Sequence, residues 1–223
     1  MTPDPAQPPV AIGDIHGRLD LLDAAIARFP GRHLILLGDY ADRGPDSRGV
    51  IARVRELVEA GRATALLGNH DEMLIHAARE PDGGNADWWL TVNGGQATLD
   101  SYGDDWAALT ADAQWLEAHL LPHTTIGPTL FAHALRPDPD GLDDTAHLWG
   151  RPTNPSQRVY PLPDGVNDSV HGHTPLVDNP QAFAREDGSR TWFIDTGAFA
   201  TGILGALDTA TWEIHLIREA VPA

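Results

Sequence analysis

An α/β fold with parallel early strands is predicted by three observations. Short apolar runs recur at Val10-Ala11-Ile12, Leu34-Ile35-Leu36-Leu37 and Thr64-Ala65-Leu66-Leu67, and each is closed by glycine. Between them, apolar residues fall three and four apart, the period of an amphipathic helix. Each closing glycine is followed by acids, amides or histidines, at the strand ends where α/β proteins usually place their chemistry.

The first unit is the strand Val10–Ile12, the loop Gly13-Asp14-Ile15-His16-Gly17 and a helix marked by Leu19, Leu22, Ile26 and Phe29, closed by Pro30-Gly31. In extended backbone side chains alternate, so Asp14 and His16 point the same way about one ligand-bite apart. The second is the strand Leu34–Leu37 with Gly38-Asp39-Tyr40-Ala41-Asp42-Arg43-Gly44 at its end. Two carboxylates beside a guanidinium make a place for a cation and an anionic ligand together. Val50, Ile51, Val54, Leu57 and Val58 mark its helix, ending near Gly61. The third strand, Thr64–Leu67, ends in Gly68-Asn69-His70-Asp71. Right-handed crossovers between parallel strands bring all three loops to one edge, where their polar groups can converge.

Further on, Trp89, Asn93-Gly94-Gly95 and Thr98-Leu99 read as a helix end with a glycine stop. Trp106, Leu109, Trp115, Leu116 and Leu120 mark another helix, stopped by Pro122. Thr129–Ala132 is a strand delivering His133. From Arg136 to Asp168 six prolines and many Asp, Gly and Thr residues predict a long irregular excursion of functional use. Ser169-Val170-His171-Gly172-His173-Thr174-Pro175 follows, then strands at Thr191–Asp195, Ile203–Leu207 and Thr211–Ile217.

With 223 residues and no linker-like middle, one domain over residues 10–220 is expected, behind a proline-rich disordered tail at 1–9. The absence of cysteine excludes disulfides, thiolate metal sites and cysteine nucleophiles, leaving His, Asp, Glu and Asn as ligands. All 15 basic residues are arginine and the formal charge is −17. Such a chain repels a phosphate polymer, so no nucleic-acid polymer is expected as a partner. An anionic substrate then requires local positive charge, from bound divalent metals and placed arginines. No segment has bilayer-spanning length, and the N-terminus has neither a basic start nor an apolar stretch. The expectation is a cytoplasmic protein without a membrane partner.

The ordered set Asp14-x-His16-Gly17, Gly38-Asp39-x-x-Asp42-Arg43-Gly44 and Gly68-Asn69-His70-Asp71 resembles the phosphoprotein phosphatase branch of the calcineurin-like metallophosphoesterases, in its bacterial type. The resemblance runs from Val10 to about Leu207. It implies a four-layer sandwich of two mixed β-sheets flanked by helices. It also implies that Asp14, His16 and Asp39 hold one metal, and that Asp39, as a bridge, holds the second with Asn69, His133 and His173. His173 is selected over His171 because the family's ligand directly follows glycine, which leaves His171 a structural role. Leu135 is a departure, since relatives carry small residues there. Pro175 stands where phosphodiesterase-type relatives carry a further histidine, which favours the phosphomonoesterase branch.

The donors are oxygen and nitrogen, the set expected for Mn²⁺, Fe or Zn²⁺, Mn²⁺ being favoured. Two such ions lower the pKa of a shared water, giving hydroxide for in-line attack on phosphorus. The family role of His70 is to protonate the leaving oxygen, oriented by Asp42. Arg43 and Arg151, the latter in a family-like Leu148-Trp149-Gly150-Arg151 segment, would hold phosphoryl oxygens together with Asn69. Asp71, where many relatives carry Glu, would cap the following helix. The expected substrate is a phosphomonoester, a small one or phosphoserine and phosphothreonine in proteins. Symmetrical dinucleoside tetraphosphate hydrolases share much of the motif set but, as the family pattern suggests, lack the acid at position 42. A non-catalytic metal-bound interaction domain is the third reading.

Overall fold

The computed structural model describes residues 7–154, 156–185 and 188–218. In chain order the elements begin with β1 (Val10–Ile12), α1 (Leu19–Arg28), β2 (Leu34–Leu36), α2 (Ser47–Glu59), β3 (Ala63–Ala65) and α3 (Asn69–Arg79). Next come α4 (Gly84–Val92), α5 (Gly95–Ser101), α6 (Trp106–His119), β4 (His123–Ile126), β5 (Thr129–Ala132) and α7 (Ala146–Trp149). The chain closes with β6 (Asp168–His171), β7 (Gln181–Ala184), β8 (Arg190–Phe193), α8 (Ala198–Thr201), β9 (Ile203–Asp208) and β10 (Glu213–Arg218).

Two five-stranded mixed sheets form, ordered β10-β9-β1-β2-β3 and β4-β5-β6-β8-β7. In the first, β1, β2 and β3 are parallel, as the three strand–loop–helix units require, and β9 joins antiparallel. In the second, β5, β6 and β8 are parallel. Apolar side chains of the two inner faces, among them Ile35, Leu37, Phe131, Val170 and Trp192, meet in one buried cluster. A larger cluster lies between the other face of the first sheet and the helices. Every parallel strand therefore delivers its C-terminal end to the same rim, as right-handed crossovers dictate.

The sequence reading differs in detail. The third strand spans Ala63–Ala65, with Leu66 bridging to Leu121. The Arg136–Asp168 excursion contains the helical turn α7, and strands β4 and β7 had no clear signal. β4 is half-exposed and β7 lies at a sheet edge, where side-chain alternation is weakly enforced. The glycine stop at Gly94 is also a restart: it is left-handed at φ +86° and stands as the N-cap of α5. Residues 1–6 of the expected tail and 219–220 of the expected domain lie outside the described residues. The Pro8 and Pro9 carbonyls accept hydrogen bonds from Arg32 and Thr209.

Candidate metal centre

Asp14 and His16 follow β1, Asp39, Asp42 and Arg43 follow β2, and Asn69 and His70 open α3 after β3. From the second sheet His133 follows β5 and His173 follows β6. All but Arg43 and Arg151 among the sequence-derived site residues are buried. His16, Asp39, Asp42, Arg43 and His173 all have positive φ, between 45° and 74°. Non-glycine residues pay for that conformation, and such strain concentrates where side chains must be aimed at a common point. Glycine is required beside them: at Gly38, with φ +103°, a Cβ would lie 2.6 Å from the Gly68 nitrogen, and at Gly172 it would overlap Asp14 Oδ1.

Two groups of three donors have ligand atoms mutually within 4.8 Å, His16/Asp39/His70 and Asp39/His133/His173, and Asp39 belongs to both. Asp39 Oδ2 lies 3.5 Å from His16 Nε2, and its Oδ1 lies 3.4 Å from His133 Nε2. Asn69 Oδ1 completes the second group, 3.0 Å from His133 Nε2 and 2.8 Å from His173 Nδ1. His133 commits its Nδ1–H to the Leu37 carbonyl at 2.7 Å, so its Nε2 lone pair faces the Asn69 and Asp39 oxygens. Acceptors turned on one another in a buried site are what a cation requires, and the oxygen and imidazole set suits Mn, Fe or Zn. Asp14 lies outside both groups and accepts the His173 backbone N–H with both oxygens, at 3.0 and 2.9 Å.

Burial lowers the basicity of His16 to a pKa of about 3 and that of His173 to about 2. Both are therefore neutral ligands at pH 7. Burial also pushes Asp39 upward, but His133, His70, His16 and His173 outweigh it and hold the carboxyl below its usual range. Asp14 is raised by burial and then by Asp195 and Asp39.

Asp42 Oδ2 accepts from His70 Nδ1 at 2.6 Å, which leaves Nε2 facing outward. Arg43 straddles the opening, with Nη1 2.7 Å from His16 Nε2 and Nη2 2.8 Å from His70 Nε2. Arg151 is exposed and close enough to act electrostatically on His133, His173 and Asp195. Asp71 caps α3 through the Gly68 N–H, as expected, and also accepts from the Asp39 and Tyr40 N–H groups. It thereby clamps the loop that carries Asp39. His171 is fully buried and donates its Nδ1–H to the Ala132 carbonyl, 3.1 Å away.

Four further residues support the site, and no reading of the motifs assigned them to it. Trp89 Nε1–H and the Thr98 hydroxyl donate to the Asp42 carboxylate at 2.8–2.9 Å, so the glycine-stop region orients that acid. Phe199 stacks on the Arg43 guanidinium at 5.0 Å and meets the His16 ring edge-on at 5.5 Å. Asp195, buried beyond β8, is pushed up to about 6 by burial and by Asp39, against its hydrogen bond from Gly197 N–H. Its signal was present: Ile194-Asp195-Thr196-Gly197 is a fourth strand end carrying an acid beside glycine.

Burial holds His171 down at a pKa of about 3, against about 6.5 in the unfolded chain. Between those values the unfolded state binds the extra proton. Stability from this group is therefore complete above pH 6.5 and falls by about 1.4 kcal/mol per pH unit on acidification. Asp195, raised to about 6, acts in the opposite sense below that pH. The expected result is that His171→Gln flattens the fall in urea midpoint of the metal-free protein between pH 6.5 and 5. An unchanged slope would remove His171 from the account.

The family model for calcineurin-like phosphoesterases matches residues 8–198. A serine/threonine-protein phosphatase 1 of Salmonella typhimurium is 30% identical over 220 residues, covering 86% of this chain and 88% of that protein. A symmetrical bis(5'-nucleosyl)-tetraphosphatase of Ralstonia nicotianae is 46% identical over 72 residues, which is 32% of this chain and only 25% of that protein. The solved structure of a serine/threonine phosphatase from Saccharomyces cerevisiae superposes with TM-score 0.61 over 98% of this chain and 82% of that one; at 15% identity the likeness is one of fold. With its motif residues gathered around Asp39 and a family match over most of its length, the chain belongs to the calcineurin-like phosphoesterases and is a metal-dependent hydrolase of that family.

Proposed function

We propose that the protein is a two-metal phosphomonoesterase acting on phosphoserine and phosphothreonine in proteins. Asp14, His16 and Asp39 would hold one divalent ion and Asp39, Asn69, His133 and His173 the other, with Mn²⁺ the favoured metal. Bound there, the ions would supply an activated water and neutralise charge on the phosphoryl group. The observation that carries the reading is the buried Asp42–His70 contact at 2.6 Å beside the two donor groups that share Asp39.

His70, held through Nδ1 by Asp42, would present Nε2–H to the leaving oxygen and give it the proton an alkoxide needs. Asp42 is itself fixed by Trp89 and Thr98, so it can stabilise the imidazolium without moving. Arg43, already within hydrogen-bond reach of both His16 and His70, would turn its planar fork to two non-bridging oxygens. Arg151 and the Asn69 amide would hold the remaining phosphate edge. Phe199 limits the swing of Arg43 by covering its face.

The match to the Salmonella phosphatase over most of both chains supports a phosphoprotein substrate. The short but closer match to the Ralstonia tetraphosphatase supports a second reading, hydrolysis of symmetrical dinucleoside tetraphosphates. Phosphate release from a phosphoserine peptide and from diadenosine tetraphosphate, measured side by side with Mn²⁺, separates them. The expected result is a kcat/KM at least ~10-fold higher for the peptide, a discrimination within reach of pocket contacts. Cleavage of the dinucleotide alone would move the protein to the second reading.

A further inference from the structure

Beyond the phosphate-binding residues, the outer face of the second sheet carries a cavity of about 390 Å³. Trp192 and Ile194 point into the core between the sheets. Alternation therefore turns Phe193 to the other face, where it meets the His171 ring at 5.5 Å. Leu135, Pro152, Val159, Leu176 and Phe183 complete the apolar lining. Three chain segments connect it to the site: Leu135 is two residues past His133, Pro152 adjoins Arg151, and Leu176 is three past His173. Phe183 and Val159 are 45% and 44% exposed, and the neighbouring Val177 is fully exposed. Apolar surface gathered in this way at a cavity beside a reaction centre marks a binding surface.

Resting on the phosphoprotein reading above, we propose that this cavity selects substrate by taking a bulky apolar side chain, Leu or Phe, within two residues of the phosphorylated one. Consecutive residues of an extended peptide advance about 3.3 Å, so a neighbour of the phosphoresidue can turn its side chain into a pocket that opens next to Arg151. A nucleobase fits the lining poorly. Apart from Thr153 and Arg185, both exposed, its polar lining is the Thr191 hydroxyl, which already accepts from buried Arg136 at 2.8 Å. The buried part therefore offers little to pair with the donors and acceptors of a base edge, and unpaired buried polar groups are costly. Arg185, exposed at the rim, would tolerate an acidic residue at the next position. Leu135, the departure from the small residues of relatives, thus acquires a role as one wall.

The test uses alanine-based phosphoserine peptides differing only in Ala, Leu or Phe beside the phosphoserine, with 4-nitrophenyl phosphate as a substrate lacking flanking residues. The expected kcat/KM is ~10-fold higher for the Leu and Phe peptides than for the Ala peptide, as burial of a few methylenes allows. Phe183→Ala and, independently, Val159→Asp should abolish that preference and leave 4-nitrophenyl phosphate turnover unchanged. Calorimetric titration of the same peptides into metal-free protein should show the same ranking without any turnover. Hydrolysis of 4-nitrophenyl phosphate with no peptide preference, in rates or in affinities, would overturn the pocket and spare the phosphatase. Absence of phosphoester hydrolysis with the affinity ranking intact would overturn the phosphatase and spare the pocket. Binding of diadenosine tetraphosphate that Phe183→Ala abolishes would reassign the cavity to a base and overturn the proposal.

Discussion

On the proposed two-metal assignment, Asp39→Asn is expected to lower the bound metal content below that of wild type and to lower kcat by at least ~10³-fold. The carboxylate is the one side chain shared by the two donor groups, with one oxygen near His16 and the other near His133. An amide keeps one acceptor and turns an N–H₂ toward the second group, which no cation accepts. Charge stabilisation by metal is worth several kcal/mol, and each 1.36 kcal/mol is tenfold in rate. The metal-free variant should melt below wild type, because the surrounding histidines hold the Asp39 carboxyl below its usual range and its Oδ1 accepts the His70 backbone N–H at 3.0 Å. Relief of the repulsion it exerts on Asp14, Asp71 and Asp195 offsets only part of that loss. Metal content by emission spectroscopy and a thermal melt decide the matter; wild-type metal content with normal turnover would refute the bridging role.

His70→Asn should lower kcat by ~10²–10⁴-fold on a phosphoserine peptide, the usual range for a general acid, with the metal content of wild type retained. The loss should shrink sharply on 4-nitrophenyl phosphate, whose leaving group needs no proton. That contrast separates proton donation from a structural effect, which would slow both substrates alike. Asp42→Asn should show the same contrast at smaller magnitude, since it keeps the hydrogen bond to Nδ1 but removes the charge that stabilises the imidazolium. Equal losses on both substrates would return His70 to a positioning role.

The α/β class, the parallel first units and the membership of Asp14, His16, Asp39, Asn69 and His70 in one rim were legible because each is a local fact. An aliphatic strand closed by glycine leaves its next polar residues at a strand end, and crossover handedness sends those ends the same way. Strand order, the half-exposed β4 and the edge strand β7 were not legible, because pairing with a distant strand fixes them and no local periodicity encodes it. The strain at His16, Asp39 and His173 was equally hidden, since positive φ at a non-glycine residue is imposed from outside.

The chemistry of the centre was thus determined by residue type and spacing: hard-to-borderline donors, no thiolate, two arginines available for phosphate. Only the tertiary structure decided that Asp14 faces the His173 backbone and that Trp89 and Thr98 hold Asp42, whereas the shared place of Asp39 was already implied by the motif resemblance. It also decided that Phe199 backs Arg43 and that Leu135 walls an apolar cavity. The contacts of Trp89 and Thr98 with Asp42, of Phe199 with Arg43 and of Asp14 with His173 join positions 47 to 159 residues apart, and closing such loops depends on the packing of two whole sheets, which no short stretch of sequence specifies.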